Sequence, residues 1–160
     1  MNSEIKSLRR LNEGQYASIG RTVSLLTAIE YELFRTISAV PSVTENEMTN
    51  AARGTFDQRK KMLRDKLKND VGINSDCFTN TLSKLDFASE LRGQFAHGLW
   101  VTEEGLLVCK FIKRHTRDDG SKHGALQRVQ MSPEKFECIQ RNLEYILVEL
   151  DVIQELLGEN

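Results

Sequence analysis

The side chains best suited to chemistry in this 160-residue chain lie in one segment, Glu90-Leu91-Arg92-Gly93-Gln94-Phe95-Ala96-His97-Gly98-Leu99-Trp100. His97 can accept and return a proton near neutrality. Arg92 offers planar, permanently charged donors that suit anionic oxygens. Their spacing corresponds to ~500° of helical rotation, a net ~140°. The pair need not touch within one helix, but both can line one cleft, above all where a second copy of the chain supplies the opposite wall. Arg92 falls close to the apolar positions Leu85, Ala88 and Phe95, which points its charge toward a bundle interior or an interface. A guanidinium there needs a partner, because desolvation costs several kcal/mol. His97 sits at a helix end, where the negative pole of the helix dipole favours a cation.

Other chemistries lack their residues. Gly93, Gly98 and Gly105 form no nucleotide-binding fingerprint, and no G-x-S-x-G elbow occurs. His97, His115 and His123 lack the paired helical spacing of a zinc site, and the last two fall in a polar stretch read as solvated loop. Cys77, Cys109 and Cys138 are odd in number and far apart, which argues against a disulfide framework and for a reducing cytoplasm. No metal and no cofactor is expected.

The elements that must position the segment are mostly helical. Ile19, Val23, Leu26, Glu30, Leu33, Ile37 and Val40 recur at alternating spacings of four and three, one face of a helix from about Asn12 to Val40 that Pro41 ends. A second helix is predicted from the N-cap Thr55 to about Asn69, with Phe56, Leu63 and Leu67 inward. A third starts at Ser75 and stops at Gly98. Ser132-Pro133-Glu134 opens the last, whose seam runs Phe136, Ile139, Leu143, Ile146, Leu150, Ile153 and Leu157. Between helices three and four, Leu99 to Val101, the turn Glu103-Glu104-Gly105 and Leu106 to Ile112 read as a β-hairpin. A polar loop from Arg114 to Gly124 then leads to a third strand near Ala125 to Met131. The fold class is all-α dominated, a bundle of four to five helices with a small β excursion before the C-terminal helix, in a single domain over residues 1–160.

Charge is uneven along the chain. Residues 132–160 hold 2 Lys/Arg against 7 Asp/Glu, whereas residues 1–70 hold 12 against 9. Arg59, Lys60, Lys61, Arg64, Lys66 and Lys68 crowd one predicted helix, and Lys110, Lys113, Arg114, Arg117, Lys122 and Arg128 form a looser cluster around the hairpin. Such clusters attract phosphate backbones. The acidic last helix would repel one. No apolar run approaches the ~20 residues of a membrane helix, and the polar start reads as no signal peptide. The expectation is a cytoplasmic protein without a membrane partner.

The R-G-Q-F-A-H-G-L-W stretch from Arg92 to Trp100 resembles the R-N-x-x-A-H-G-x-W form of the signature of HEPN domains. The resemblance implies a compact helical bundle that homodimerises, bringing two motifs into one cleft, and metal-independent endoribonuclease chemistry as in toxin, antiphage and RNA-processing members. Arg92 and His97 would then be the catalytic pair and RNA the substrate, with an antitoxin or other protein as a further partner. Cleavage by the RNA 2′-hydroxyl needs a proton acceptor, a proton donor for the leaving oxygen and positive charge on the phosphorane, which His and Arg supply. Two positions depart from the family pattern. Gly93 stands where the family usually has a polar residue, most often Asn. Leu99 stands where the R-x4-H-x-Y form carries its Tyr, so pairing with a nucleotidyltransferase is not expected.

A second reading of the same residues is a non-catalytic HEPN-like dimerisation or interaction module, with His97 capping the helix and Gly93 permitting close helix approach. Glu30 interrupts the apolar seam between Leu26 and Leu33, so it is expected to form an ion pair with Arg92 and orient it, within a protomer or across a dimer. Phe95 and Trp100 are read as core or interface anchors rather than base-stacking platforms. RNA contacts are expected at Lys60, Lys61 and Arg64 and at Lys113, Arg114 and Arg117.

Overall fold

The computed structural model describes residues 11–70, 75–116, 120 and 122–158, with 70, 75–77, 114–116, 122 and 123 by backbone alone. Among the described residues the order is α1 (Glu13–Ala39), α2 (Glu45–Arg53), α3 (Phe56–Asp70), α4 (Ser75–His97), β1 (Leu99–Glu103), β2 (Leu106–Thr116), β3 (Lys122–Met131) and α5 (Pro133–Gly158). The fold is helix-dominated, with a small antiparallel sheet before the last helix. None of the described helices is long and apolar enough to cross a membrane. The chain divides into two compact units, one of Met1–Val23 and Leu91–Ile139, the other of Ser24–Glu90 and Gln140–Asn160.

The first unit holds the sheet, ordered β1-β2-β3. Glu104 and Gly105 make the β1–β2 turn with φ of 51° and 83°. Two left-handed residues match the twist of a two-residue hairpin, and a glycine takes the second position without strain. β1 pairs only with Leu106 to Lys110 of β2, whereas β2 and β3 stay paired out to Thr116 and Lys122. The polar loop expected over Arg114 to Gly124 is therefore mostly strand. β3 begins at Lys122 rather than near Ala125 because ladder bonds satisfy the backbone there irrespective of side-chain polarity.

The second unit is helical. α3 follows its sequence reading closely: Thr55 caps it by accepting from the Gln58 amide at 3.3 Å, and Phe56, Leu63 and Leu67 are buried. α2 has no counterpart in the sequence reading, although its signal is present. The hydroxyl of Thr44 accepts from the Glu47 amide at 3.3 Å while the Glu47 carboxylate accepts from the Thr44 amide at 2.8 Å, a reciprocal capping box. The same hydrogen bond from the Thr44 backbone, with Lys66 as a second partner, holds the Glu47 carboxyl below its ordinary value.

Arg59 ties three helices of this unit. Its Nε donates to the Ala51 carbonyl at 2.7 Å, one terminal nitrogen donates to the Ala52 carbonyl at 3.0 Å, and the other to Glu30 Oε1 at 2.9 Å. It thus adds a donor to two carbonyls in the last turn of α2, where Ala51 also accepts from the Gly54 amide at 3.3 Å, while neutralising a half-buried carboxylate on α1. Arg59→Ala removes one donor from each of the three acceptors. It is expected to lower stability by about 2 kcal/mol, mainly from the lost charge-assisted hydrogen bond to Glu30, which appears as a reduced urea midpoint at unchanged slope.

Candidate functional site

α4 carries the Arg92–His97 segment, and its buried face runs Phe78, Thr81, Leu85, Ala88, Leu91 and Phe95. The seam position between Ala88 and Phe95 is therefore taken by Leu91. Arg92, one residue further round the helix, is exposed, which corrects the expectation of a guanidinium aimed into the interior. His97 is the last residue of α4 and is also exposed. Both side chains reach solvent in a single copy of the chain.

The rest of the segment holds the end of α4 in place. Phe95 packs against Trp100 with ring centroids 4.8 Å apart, and Phe136 at the start of α5 lies 6.1 Å from each of them. Three aromatic rings thus tie the α4 terminus, β1 and the start of α5, the anchoring role expected of Phe95 and Trp100. The Trp100 indole nitrogen is buried without an acceptor among the described residues. Gly98 ends the helix through its amide, which donates to the Gln94 carbonyl at 2.8 Å. A Cβ at this position would stand 2.3 Å from that carbonyl oxygen and 2.5 Å from Cys109 Sγ on β2, so no other residue fits without movement. Burial pushes the Cys109 thiol up to about 11, leaving it protonated and inert at neutral pH. Gly93 has the opposite character: a Cβ there meets nothing within 4 Å. It does not serve close helix approach.

Glu30 lies beside the seam rather than in it, because Ile29 is the fully buried residue at that turn of α1. Arg59 is set against its carboxylate at 2.9 Å, a partner that the sequence reading did not name. The pattern misleads because Thr22 and Thr36 occupy buried positions of α1. Their hydroxyls donate to the carbonyls of Ser18 and Glu32, at 2.9 and 2.8 Å, so burial costs them little.

The basic stretch of α3 divides into paired and open charges. Lys60 is only 12% exposed and contacts both Asp57 and Asp86, so it joins α3 to α4 and adds little to the outward charge expected of it. Lys66 is held by Glu47 at 3.0 Å. Lys61 and Arg64 are exposed, as expected for contacts to an anionic polymer. On the hairpin, Glu103 binds both Lys110 and Arg128, and these contacts hold its carboxyl below its ordinary value. Lys113 is exposed, and the Arg114 side chain and Arg117 lie outside the described residues. Among the described residues no group of three or more His, Cys, Asp or Glu is placed to hold a metal ion.

The Lys60 network has a defined pH signature. Burial disfavours the Lys60 charge, but hydrogen bonds to Asp86 and Asp57 outweigh it and hold the group above its ordinary 10.5. Burial likewise disfavours the Asp57 carboxylate, and the Ser89 hydroxyl and Lys60 outweigh it, holding Asp57 below its ordinary 3.8. A depressed carboxyl stabilises above its unfolded pKa and loses that contribution as pH falls; a raised ammonium stabilises below its unfolded pKa and loses it as pH rises. The stability difference between wild type and Asp57→Asn should therefore be flat between 3.8 and 10.5 and shrink beyond either limit, as measured by urea titrations across pH.

In comparisons with known proteins, no family model matches the chain, and neither a curated protein nor a solved structure matches it with significance. The functional reading rests on the residues and their geometry.

Proposed function

We propose that the chain is a metal-independent endoribonuclease of HEPN type, acting in a toxin, antiphage or RNA-processing role, with Arg92 and His97 as its catalytic residues. The observation that carries the reading is the division of labour within the motif. Phe95, Gly98 and Trp100 are used up in holding the end of α4, while Arg92 and His97 stand exposed on it. In this reading two copies of the chain juxtapose their motifs in one cleft. His97 takes the proton of the RNA 2′-hydroxyl as that oxygen attacks the adjacent phosphorus, and the bond to the 5′-oxygen breaks. The leaving oxygen is protonated by an imidazolium, from the same residue or its counterpart in the second copy. Arg92 holds the charge on the phosphorane oxygens. The products are a 2′,3′-cyclic phosphate and a 5′-hydroxyl, and DNA, lacking the 2′-hydroxyl, is not cut.

Incubation of the purified protein with single-stranded and structured RNA in EDTA tests the reading: cleavage is expected, and its absence across a broad RNA set refutes it. Gly93 supplies a second test. Since a side chain at this position meets open space, Gly93→Asn restores the family's usual polar residue beside Arg92 without a clash. The variant should melt no lower than wild type, given the poor helix propensity of glycine, and should cleave about tenfold faster if the added amide orients the guanidinium or the phosphate. Single-turnover rates and thermal melts measure the two effects separately.

A further inference from the structure

α3 and the first turns of α4 border a cavity of about 290 Å³ that shares only Arg64 with the residues expected to contact RNA. Its walls are apolar. Leu67 and Phe78, 3% and 4% exposed, form the floor, and Leu82 stands half-buried at one side. Two hydroxyl-bearing residues, Thr79 and Ser83, also line it, but the Ser83 hydroxyl is occupied in donating to the Thr79 carbonyl at 2.9 Å. A body lying in this cavity therefore gains by being hydrocarbon.

Arg64 and Lys68, one helical turn apart on α3, complete the lining, and both are exposed. Of the other cations of this helix, Lys61 is likewise exposed but does not line the cavity. Arg59, Lys60 and Lys66 are each matched by a carboxylate within the same unit. Arg64 and Lys68 have no such partner among the described residues. Two open cations beside a hydrocarbon-lined cavity complement a ligand with an anionic head and a compact apolar body, held by charge-assisted hydrogen bonds at one end and burial at the other. The volume lies near the lower end of small-molecule sites, which limits the body to a short chain or a single ring system.

We infer that this cavity binds a small amphiphilic anion, its carboxylate or phosphate head on Arg64 and Lys68 and its hydrocarbon body over Leu67, Phe78 and Leu82. Calorimetric titration of the full chain with octanoate, octyl phosphate and octanol tests it. At least one anion should bind about tenfold or more tightly than the alcohol, which has the same body without the charge; whichever anion binds better identifies the head. The double charge reversal Arg64→Glu, Lys68→Glu lies on the surface and should weaken anion binding about tenfold or more while sparing the alcohol. Leu82→Trp should fill the cavity and abolish binding of all three. Equal binding of octanol and the anions, anion binding that survives the charge reversal, or no binding of either anion overturns the inference. These outcomes are independent of whether the protein cleaves RNA.

Discussion

His97→Ala is expected to reduce RNA cleavage by a factor of at least about 10², the usual contribution of a positioned general acid–base group, while leaving the melting temperature within about 1 °C of wild type. The two halves of this expectation come from the same fact. His97 is exposed at the last residue of α4, so its side chain fills no part of the core. The helix is stopped instead by the Gly98 amide donating to the Gln94 carbonyl and by the Phe95–Trp100–Phe136 cluster. A histidine retained to cap the helix would give the reverse pattern, a lower melting temperature with no activity to lose. Arg92→Ala is the companion variant. Its exposed guanidinium also predicts loss of activity without comparable loss of stability. Measuring both quantities on both variants separates the catalytic reading from the interaction-module reading, because only the former couples a large rate effect to an intact fold.

The largest effect on stability should come from the neighbouring residue. Gly98→Ala adds a Cβ 2.3 Å from a main-chain oxygen and 2.5 Å from Cys109 Sγ. The thiol can be removed by a second substitution, but the carbonyl belongs to the helix and cannot retreat without breaking the hydrogen bond that closes it. Overpacking against backbone of this kind costs about 3 kcal/mol, which for a chain of this length corresponds to a fall of roughly 6–12 °C in melting temperature. Gly98→Ala combined with Cys109→Ala should recover only part of the loss. Full recovery would mean that the sulfur, not the carbonyl, sets the requirement for glycine. Two adjacent motif positions are thus expected to fail in different ways, one in chemistry and one in folding.

Legibility in the sequence depended on how cleanly each helix separates apolar from polar positions. In α5 every residue of the four-three seam from Phe136 to Leu157 is buried, with the polar Gln140 buried beside Ile139 without displacing it. In α1 and α4 the seam is interrupted, and the reading slipped by one residue each time, to Glu30 instead of Ile29 and to Arg92 instead of Leu91. A one-residue slip on a helix is a rotation of ~100°, enough to move a charge from the interior to the surface. Arg59 could not have been found by periodicity at all. Its role depends on carbonyls at the end of α2 and a carboxylate on α1, both brought to it by tertiary structure. α2 itself was legible, since Thr44 and Glu47 stand at capping-box spacing, but its nine residues contain too few apolar side chains for periodicity to mark. The motif from Arg92 to Trp100 was legible as a string. Which of its members are structural and which are exposed was not, because that depends on what β1, β2 and the start of α5 bring against the end of α4.

Counting residues along α3 suggests a continuous basic strip, yet three of its six cations are committed to carboxylates within the fold. What the helix offers an anionic ligand is Lys61, Arg64 and Lys68.

We propose that the exposed Arg92–His97 pair cuts RNA through its own 2′-hydroxyl without a metal ion. The measurement that tests it most directly is mass spectrometry of the RNA fragments formed in EDTA, run beside the same RNA carrying 2′-deoxy substitutions at the cleaved positions. The account predicts fragments ending in 2′,3′-cyclic phosphate with 5′-hydroxyl partners, and no cutting at the deoxy positions. Fragments that form only with added divalent cation and carry 5′-phosphates, or cutting that continues at the deoxy positions, would contradict it.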